Sequence, residues 1–297
     1  MKKSIVVIAL LSLLACNEQQ QPAEKDNVEK EVVKEDTSFL QYNSYFGSWV
    51  GDFIAEEYSD GNGDGSHSNK INLVLKRIEG DSVFGQSIVA GNSRAFKGVL
   101  RKKDSLYEFQ VQEPGDEKYD GLFTFSIKDD TLKGNWTSFR KDLPVVKRRF
   151  ALVKSAFVYN SALMLPDDMD YVDYVSGKTE EVIEENEEGV KDTFMVDVFR
   201  AASEKIFELN ASEKELKEAD VKNLKKIDLE IIRNTIYARH GYTFKKRTYR
   251  QFFDYVDWYI PISTDVTASL TEVEKKNIAL LNRFEKYAED HYDGFGR

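Results

Sequence analysis

Few side chains in this 297-residue sequence are of types that do chemistry on their own. Cys16 is the one cysteine, which leaves no internal disulfide, no CxxC redox pair and no cysteine-rich zinc site. His67, His240 and His291 are too far apart in sequence to suggest an all-histidine metal site. No Gly-x-Ser-x-Gly, His-Glu-x-x-His, phosphate-binding glycine loop or dinucleotide fingerprint is present. Carboxylates are plentiful, and a facing pair could hydrolyse a glycan, but no pair stands out from the other Asp and Glu. The run Asp60-Gly61-Asn62-Gly63-Asp64-Gly65 starts like an EF-hand loop, with oxygen ligands at alternate positions and then glycine. Ile71 stands where that loop needs a bidentate Glu, so the run reads as a polar hairpin tip. Neither a metal nor a catalytic cofactor is expected.

The net charge is −10, which argues against nucleic acid as a partner because a phosphate-binding surface needs clustered Lys and Arg. The charge is unevenly placed. Residues 39–155 carry 17 basic and 16 acidic groups, residues 156–224 carry 7 and 18, and residues 225–297 carry 13 and 11. Glu180, Glu181, Glu184, Glu185, Glu187 and Glu188 form the densest run, which reads as a solvated, self-repelling connector over 156–208. Within it Phe194, Val196 and Val198 alternate like a strand, while Ala201 to Leu209 reads as helix.

At the start, Lys2 and Lys3 precede an uncharged apolar run from Ile5 to Cys16, too short to span a hydrocarbon core of about 30 Å at roughly 1.5 Å per residue. It reads as a secretory signal. Its end, Leu13-Leu14-Ala15-Cys16, resembles a bacterial lipoprotein signal. That resemblance implies a signal peptide over 1–15, a covalent lipid on Cys16 and a membrane anchor. Residues 16–38, with no aromatic before Phe39, form the expected disordered tether. Asn17 after the cysteine is compatible with sorting to the outer membrane of the bacterial cell envelope.

Residues 39–155 alternate apolar and polar side chains in short runs, as in Tyr107, Phe109 and Val111, then Phe123, Phe125 and Ile127. Turn signals recur as Gly80-Asp81, Asp104-Ser105 and Asp129-Asp130. About eight sequential antiparallel strands are expected, and such a meander can close into a barrel. Gly47-x-Trp49 near the start and Arg149 near the end resemble the lipocalin-like pattern, which implies an arginine lying on the indole. Such a barrel either fills with its own side chains or holds one small apolar ligand.

Residues 209–293 read as a separate all-α unit, which makes the chain α+β. Ser212-x-x-Glu215 opens a short helix to Leu224, Asp228 caps the next, and Gly241 ends that one in a left-handed conformation. The passage from Ile232 to Tyr242 contains Tyr237-Ala238-Arg239-His240-Gly241 and resembles the core of the YARHG domain. The likeness continues through Phe244, Trp258-Tyr259 and a last helix around Asn277. It implies an extracytoplasmic bacterial module and leaves its activity open. Arg233, Asn234, Tyr237, Arg239, His240, Trp258 and Tyr259 are the candidate binding surface for an envelope protein or glycan. The competing reading is that they tie helix ends and loop carbonyls in place.

Two functions follow as expectations: a non-catalytic, membrane-anchored binding or scaffolding lipoprotein, or a lipocalin-like carrier of a small apolar molecule.

Overall fold

The computed structural model describes residues 37–59, 68–103, 106–187 and 189–290. The expected signal peptide, Cys16, most of the tether, the loop Asp60–Gly65 and Glu188 lie outside the described residues. The eight expected strands are present as β1 (Gly47–Tyr58), β2 (Ser68–Glu79), β3 (Ser82–Val89), β4 (Asn92–Lys103), β5 (Leu106–Gln112), β6 (Gly121–Lys128), β7 (Thr131–Ser138) and β8 (Val145–Ser155). Each pairs antiparallel with the next, and β8 returns to β1, so the sheet closes into a barrel. Closure removes the two free edges that an open sheet would expose. The turn Asp129-Asp130 takes φ of 47° and 56°, the left-handed pair that joins strands without splaying them.

The period-two pattern decides what fills the barrel. Phe53, Phe96, Phe109, Phe123, Phe125, Trp136 and Phe150 all point inward and are buried. Phe109 and Phe125 stack with centroids 4.8 Å apart, and Phe53 meets Trp136 edge-on at 5.7 Å. The barrel interior is thus packed with its own rings. At one end, a 3₁₀ segment (Thr37–Tyr45) lays Tyr42 and Tyr45 against Tyr107.

The expected arginine over Trp49 is corrected. Arg149 is exposed on the outer face, whereas Phe150 and Leu152 are buried inside. Alternation therefore turns Arg148 and Lys154 inward. Lys154 Nζ lies 5.7 Å from the Trp49 ring centroid, and the Trp49 indole donates to Tyr45 O at 2.8 Å. Gly47, with φ of 111°, opens β1 just before them.

Beyond β8, the residues expected as an acidic connector include a separate two-stranded sheet of β9 (Val172–Glu185) and β10 (Lys191–Ala201). The glutamates stay solvated, as like charges require, but the backbone beneath them is paired. Five helices follow: α1 (Lys205–Glu208), α2 (Glu218–Val221), α3 (Lys226–Arg239), α4 (Arg247–Phe253) and α5 (Glu272–Glu285). Their core gathers Ile227, Leu229, Ile232, Ile236, Phe244, Phe253 and Leu281.

A buried carboxylate sits at the end of β5. Glu113 is 4% exposed, and accepts from Ser87 Oγ at 2.5 Å and from Gly121 N–H at 2.8 Å. Burial pushes its pKa up to about 7 despite those bonds. The folded state then holds a proton that the unfolded chain releases near pH 4.5. Glu113 therefore costs stability as pH rises from about 4.5 through about 7, on the order of 3 kcal/mol in full. A Glu113→Gln amide can donate to Ser87 and accept from Gly121, so the variant should unfold at higher denaturant than the parent at pH 8. The gap should close at pH 4, and equal denaturation midpoints at both pH values would exclude this account.

Candidate functional site

The candidate residues sit on and around α3, whose ends are set locally. At its start, Asp228 Oδ2 accepts the Lys225 N–H at 3.1 Å, and the same carboxylate holds Ser203 through its N–H at 2.7 Å and its hydroxyl at 2.8 Å. Asp228 thus caps the helix and pins the chain leaving β10. At its far end, Gly241 takes φ of 72°, Tyr242 N–H reaches Tyr237 O at 3.0 Å, and Gly241 N–H reaches Ala238 O at 2.9 Å. This is a Schellman closure, and it needs glycine: a Cβ there would lie 2.8 Å from Ile260 O.

Structure turns most of the proposed surface inward, correcting the expectation of a ligand-facing patch. Asn234, Arg239, His240 and Tyr259 are buried, and Arg233, Tyr237 and Trp258 are half-buried. Arg239 donates from Nε to Leu163 O at 2.7 Å and from Nη1 to Ser212 Oγ at 3.0 Å. Trp258 donates to the neighbouring carbonyl, Met164 O, at 2.8 Å. Together they tie down the segment that leaves the barrel. Arg233 forks onto Glu285 of α5 at 2.5 and 3.1 Å, Asn234 donates back to Glu230 O at 2.7 Å, and Tyr237 packs beside Tyr242. The Tyr259 hydroxyl donates to Tyr242 O at 2.7 Å. A helix end buried in protein needs partners for its polar groups, and these side chains supply them.

His240 belongs to the tightest polar cluster. Its Nε2–H donates to Glu274 Oε2 at 2.8 Å, its ring stacks on Tyr159 at 4.3 Å, and the Tyr159 hydroxyl donates to Glu274 Oε1 at 3.1 Å. Thr271 N–H adds a bond to Glu274 Oε2 at 2.8 Å, closing a reciprocal cap at the start of α5. Burial alone would raise the Glu274 pKa, but hydrogen bonds from His240, Ser212 and Thr271 hold it down at about 2. His240 and Glu274 are buried, at 5% and 0% exposure, and their bond ties the end of α3 to the start of α5 as a structural lock.

The helix expected to open at Ser212-x-x-Glu215 is absent, and α2 begins only at Glu218. Asn277 explains why. Its Nδ2 donates to Ala211 O and Lys214 O, each at 2.8 Å, and its Oδ1 accepts from Leu216 N–H at 2.8 Å. With that loop satisfied from outside, its residues have no need of helical bonds.

Residues 204–286 match the YARHG domain family. The match spans α1 to α5 and includes His240, Thr271 and Glu274 of the lock, while Tyr159 lies before it. The chain as a whole has no match among curated proteins. A YARHG domain beside a closed barrel is consistent with a non-catalytic module.

Sequence reasoning missed the seam between this domain and the barrel. Lys70 and Asn72 lie on the outer face of β2, yet both are buried. Lys70 Nζ donates to Val256 O at 2.5 Å, and Asn72 Nδ2 donates to Pro261 O at 2.9 Å. Gly91 N–H donates to Thr243 Oγ1 at 3.0 Å. Asp254 closes the seam, with burial pushing its pKa up while it pushes that of Lys70 down. Nothing in a strand that alternates polar and apolar residues says which polar ones will be covered.

The low pKa of Glu274 makes the lock acid-sensitive. Its contribution is present above the unfolded value near pH 4.5 and is lost as pH falls toward about 2, up to about 3 kcal/mol. Glu274→Gln should lower the denaturation midpoint at pH 7 and sit close to the parent at pH 2.5. A deficit of the same size at both pH values would show that the carboxylate's charge has no part in the lock.

Proposed function

We propose that the protein is a non-catalytic, lipid-anchored lipoprotein of the bacterial outer membrane that acts as a binding module for another envelope protein. The anchor reading rests on Lys2-Lys3, the apolar run to Ala15 and Cys16 as the acylated residue. Its lipid is covalent, and no other cofactor is proposed. Several acyl chains at about 0.8 kcal/mol per buried methylene give stable membrane attachment.

One observation supports the binding reading above the others: the β9–β10 hairpin stands solvated with apolar side chains outward. Ile183 is 59% exposed, Met195 62% and Val190 52%. An isolated two-stranded sheet is marginal in water. Among the described residues neither strand has a second partner strand, so both outer edges offer backbone donors and acceptors. The glutamates at 180, 181, 184 and 185 choose the partner's chemistry: an extended, basic segment that adds alongside the hairpin and covers its apolar residues. The candidate set around α3 is committed internally, so the hairpin replaces it as the contact surface. The filled barrel gives the small-ligand carrier no comparable support.

Two measurements bear on this. Cys16→Ser should be recovered unlipidated, at a different mass and outside the membrane fraction; a protein unchanged in both would remove the anchor. A photo-crosslinking residue at Met195 should give a discrete adduct in cells, while the same residue at exposed Val153 on the barrel should not. Glu180→Lys with Glu184→Lys should abolish the adduct. An adduct that survives the charge reversal would overturn the basic-partner reading.

A further inference from the structure

An open cleft lies between the barrel mouth, the base of β9 and α4. Its volume is about 650 Å³, and its lining includes Ser68, Arg148, Arg247, Arg250, Tyr174 and Tyr255. That size suits a small organic ligand, for which sites of about 300–1,000 Å³ are usual. Three guanidiniums line it against one carboxylate, Asp170.

The cations are crowded at a cost in free energy. Arg148 points into the mouth, donates to Phe53 O at 2.9 Å and lies 5.1 Å over the Phe53 ring. Burial, with Arg250 nearby, lowers its pKa to about 10. Burial and then the charge of Arg247 lower that of Arg250, against the pull of buried Asp254. Arg250 Nη1 donates to Lys245 O, yet its Nε is buried with no hydrogen-bond partner. Ser68 Oγ is also buried and unpaired. Cations that lower one another's pKa beside one cleft are destabilising for the protein alone. An oxyanion held between the cations would offset their repulsion, and guanidiniums hold such groups through paired N–H bonds.

The rim narrows the ligand further. Tyr174 is 61% exposed and Tyr255 53%, so two phenol rings stand beside the cations and partly open to water. Aromatic faces next to guanidiniums suit a ring that carries an anionic group. We propose that this cleft binds an anionic sugar, its carboxylate or phosphate held by Arg148, Arg247 and Arg250 and its ring set against Tyr174 and Tyr255.

Calorimetric titration of the full chain with glucuronate, glucose phosphate and neutral glucose tests this. Both anionic sugars should bind, more weakly as salt is raised, and glucose should not. Arg250→Gln should weaken binding about tenfold. Arg247 is exposed at the rim, so Arg247→Gln should weaken binding to a similar degree in a protein that still folds. Arg140→Gln, at an exposed ion pair with Asp142, should have no effect on affinity. Glucose binding as well as glucuronate, no binding by either anionic sugar, or unchanged affinity in a folded Arg247→Gln protein would each overturn the proposal.

Discussion

The C-terminal end of α3 is the constraint on which the helical domain depends. A buried helix end leaves carbonyls that water cannot reach, and here three separate segments must converge to satisfy the groups around it. Gly241 turns the chain back, and its own carbonyl receives Ile262 N–H at 2.7 Å. Arg239 reaches out to Leu163 and Ser212, which fixes the segment leaving the barrel and the loop after α1. His240 engages the first turn of α5 through Glu274. Consecutive residues thus face three different elements, which is why their types are so particular. Arg239 is long enough to donate to two segments at once; His240 offers a flat face to Tyr159 and a donor to Glu274; and only glycine relieves the strain at 241.

The same need for polar satisfaction joins the domain to the barrel. Lys70 and Asn72 would be solvated if β2 faced water, and covering them required acceptors at Val256 and Pro261. A buried amine and carboxylate are tolerated only when paired or hydrogen-bonded. Lys70, whose ammonium donates to Val256 O while its backbone N–H bonds the buried Asp254 carboxylate, therefore specifies one docking position, since a shift would break both contacts. Lys245 approaches Gly91 so closely that a Cβ at Gly91 would lie 2.5 Å from its Cα. The barrel and the domain are distinct in sequence and composition, but their seam is as tightly specified as a core.

Period-two patterning made the eight strands legible, because one face of each faces the filled interior and the other mostly faces water. The helix end at Gly241 was legible for a similar reason, since a left-handed cap needs a residue type that sequence shows directly. The first hairpin strand was not. In β9 the side chains are exposed on both faces, so Glu180 to Glu185 leave no apolar alternation to read. The inward turn of Arg239, His240 and Tyr259 was also hidden. Their types suit a ligand surface and a buried lock equally, and only packing distinguishes the two. Arg149 falls on the outer face, and the cation beside Trp49 is Lys154, five positions on and on the opposite face of the strand. The Arg148, Arg247 and Arg250 cluster joins residues a hundred positions apart, beyond the reach of any local pattern.

The two proposed surfaces share a support. Asp173, at the base of β9, accepts from Gln251 Nε2 at 2.8 Å and from Arg200 at 2.7 Å, while Gln251 Oε1 accepts the Tyr174 N–H at 3.2 Å. Gln251 follows Arg250 on α4, so the bond that seats the hairpin also sets one aromatic wall of the cleft. Burial raises the Asp173 pKa, but hydrogen bonds from Ser176, Arg200 and Gln251 more than offset it, so the carboxylate stays ionised and its fork to Arg200 stays charged. Arg200 then reaches Glu230 of α3 and Asp290 beyond α5, anchoring the hairpin base to the domain core. A partner that reorients the hairpin must move Tyr174 relative to Arg250. Linkage requires the reverse as well: an anion that orders Tyr174 changes the free energy of binding at the hairpin by the same amount.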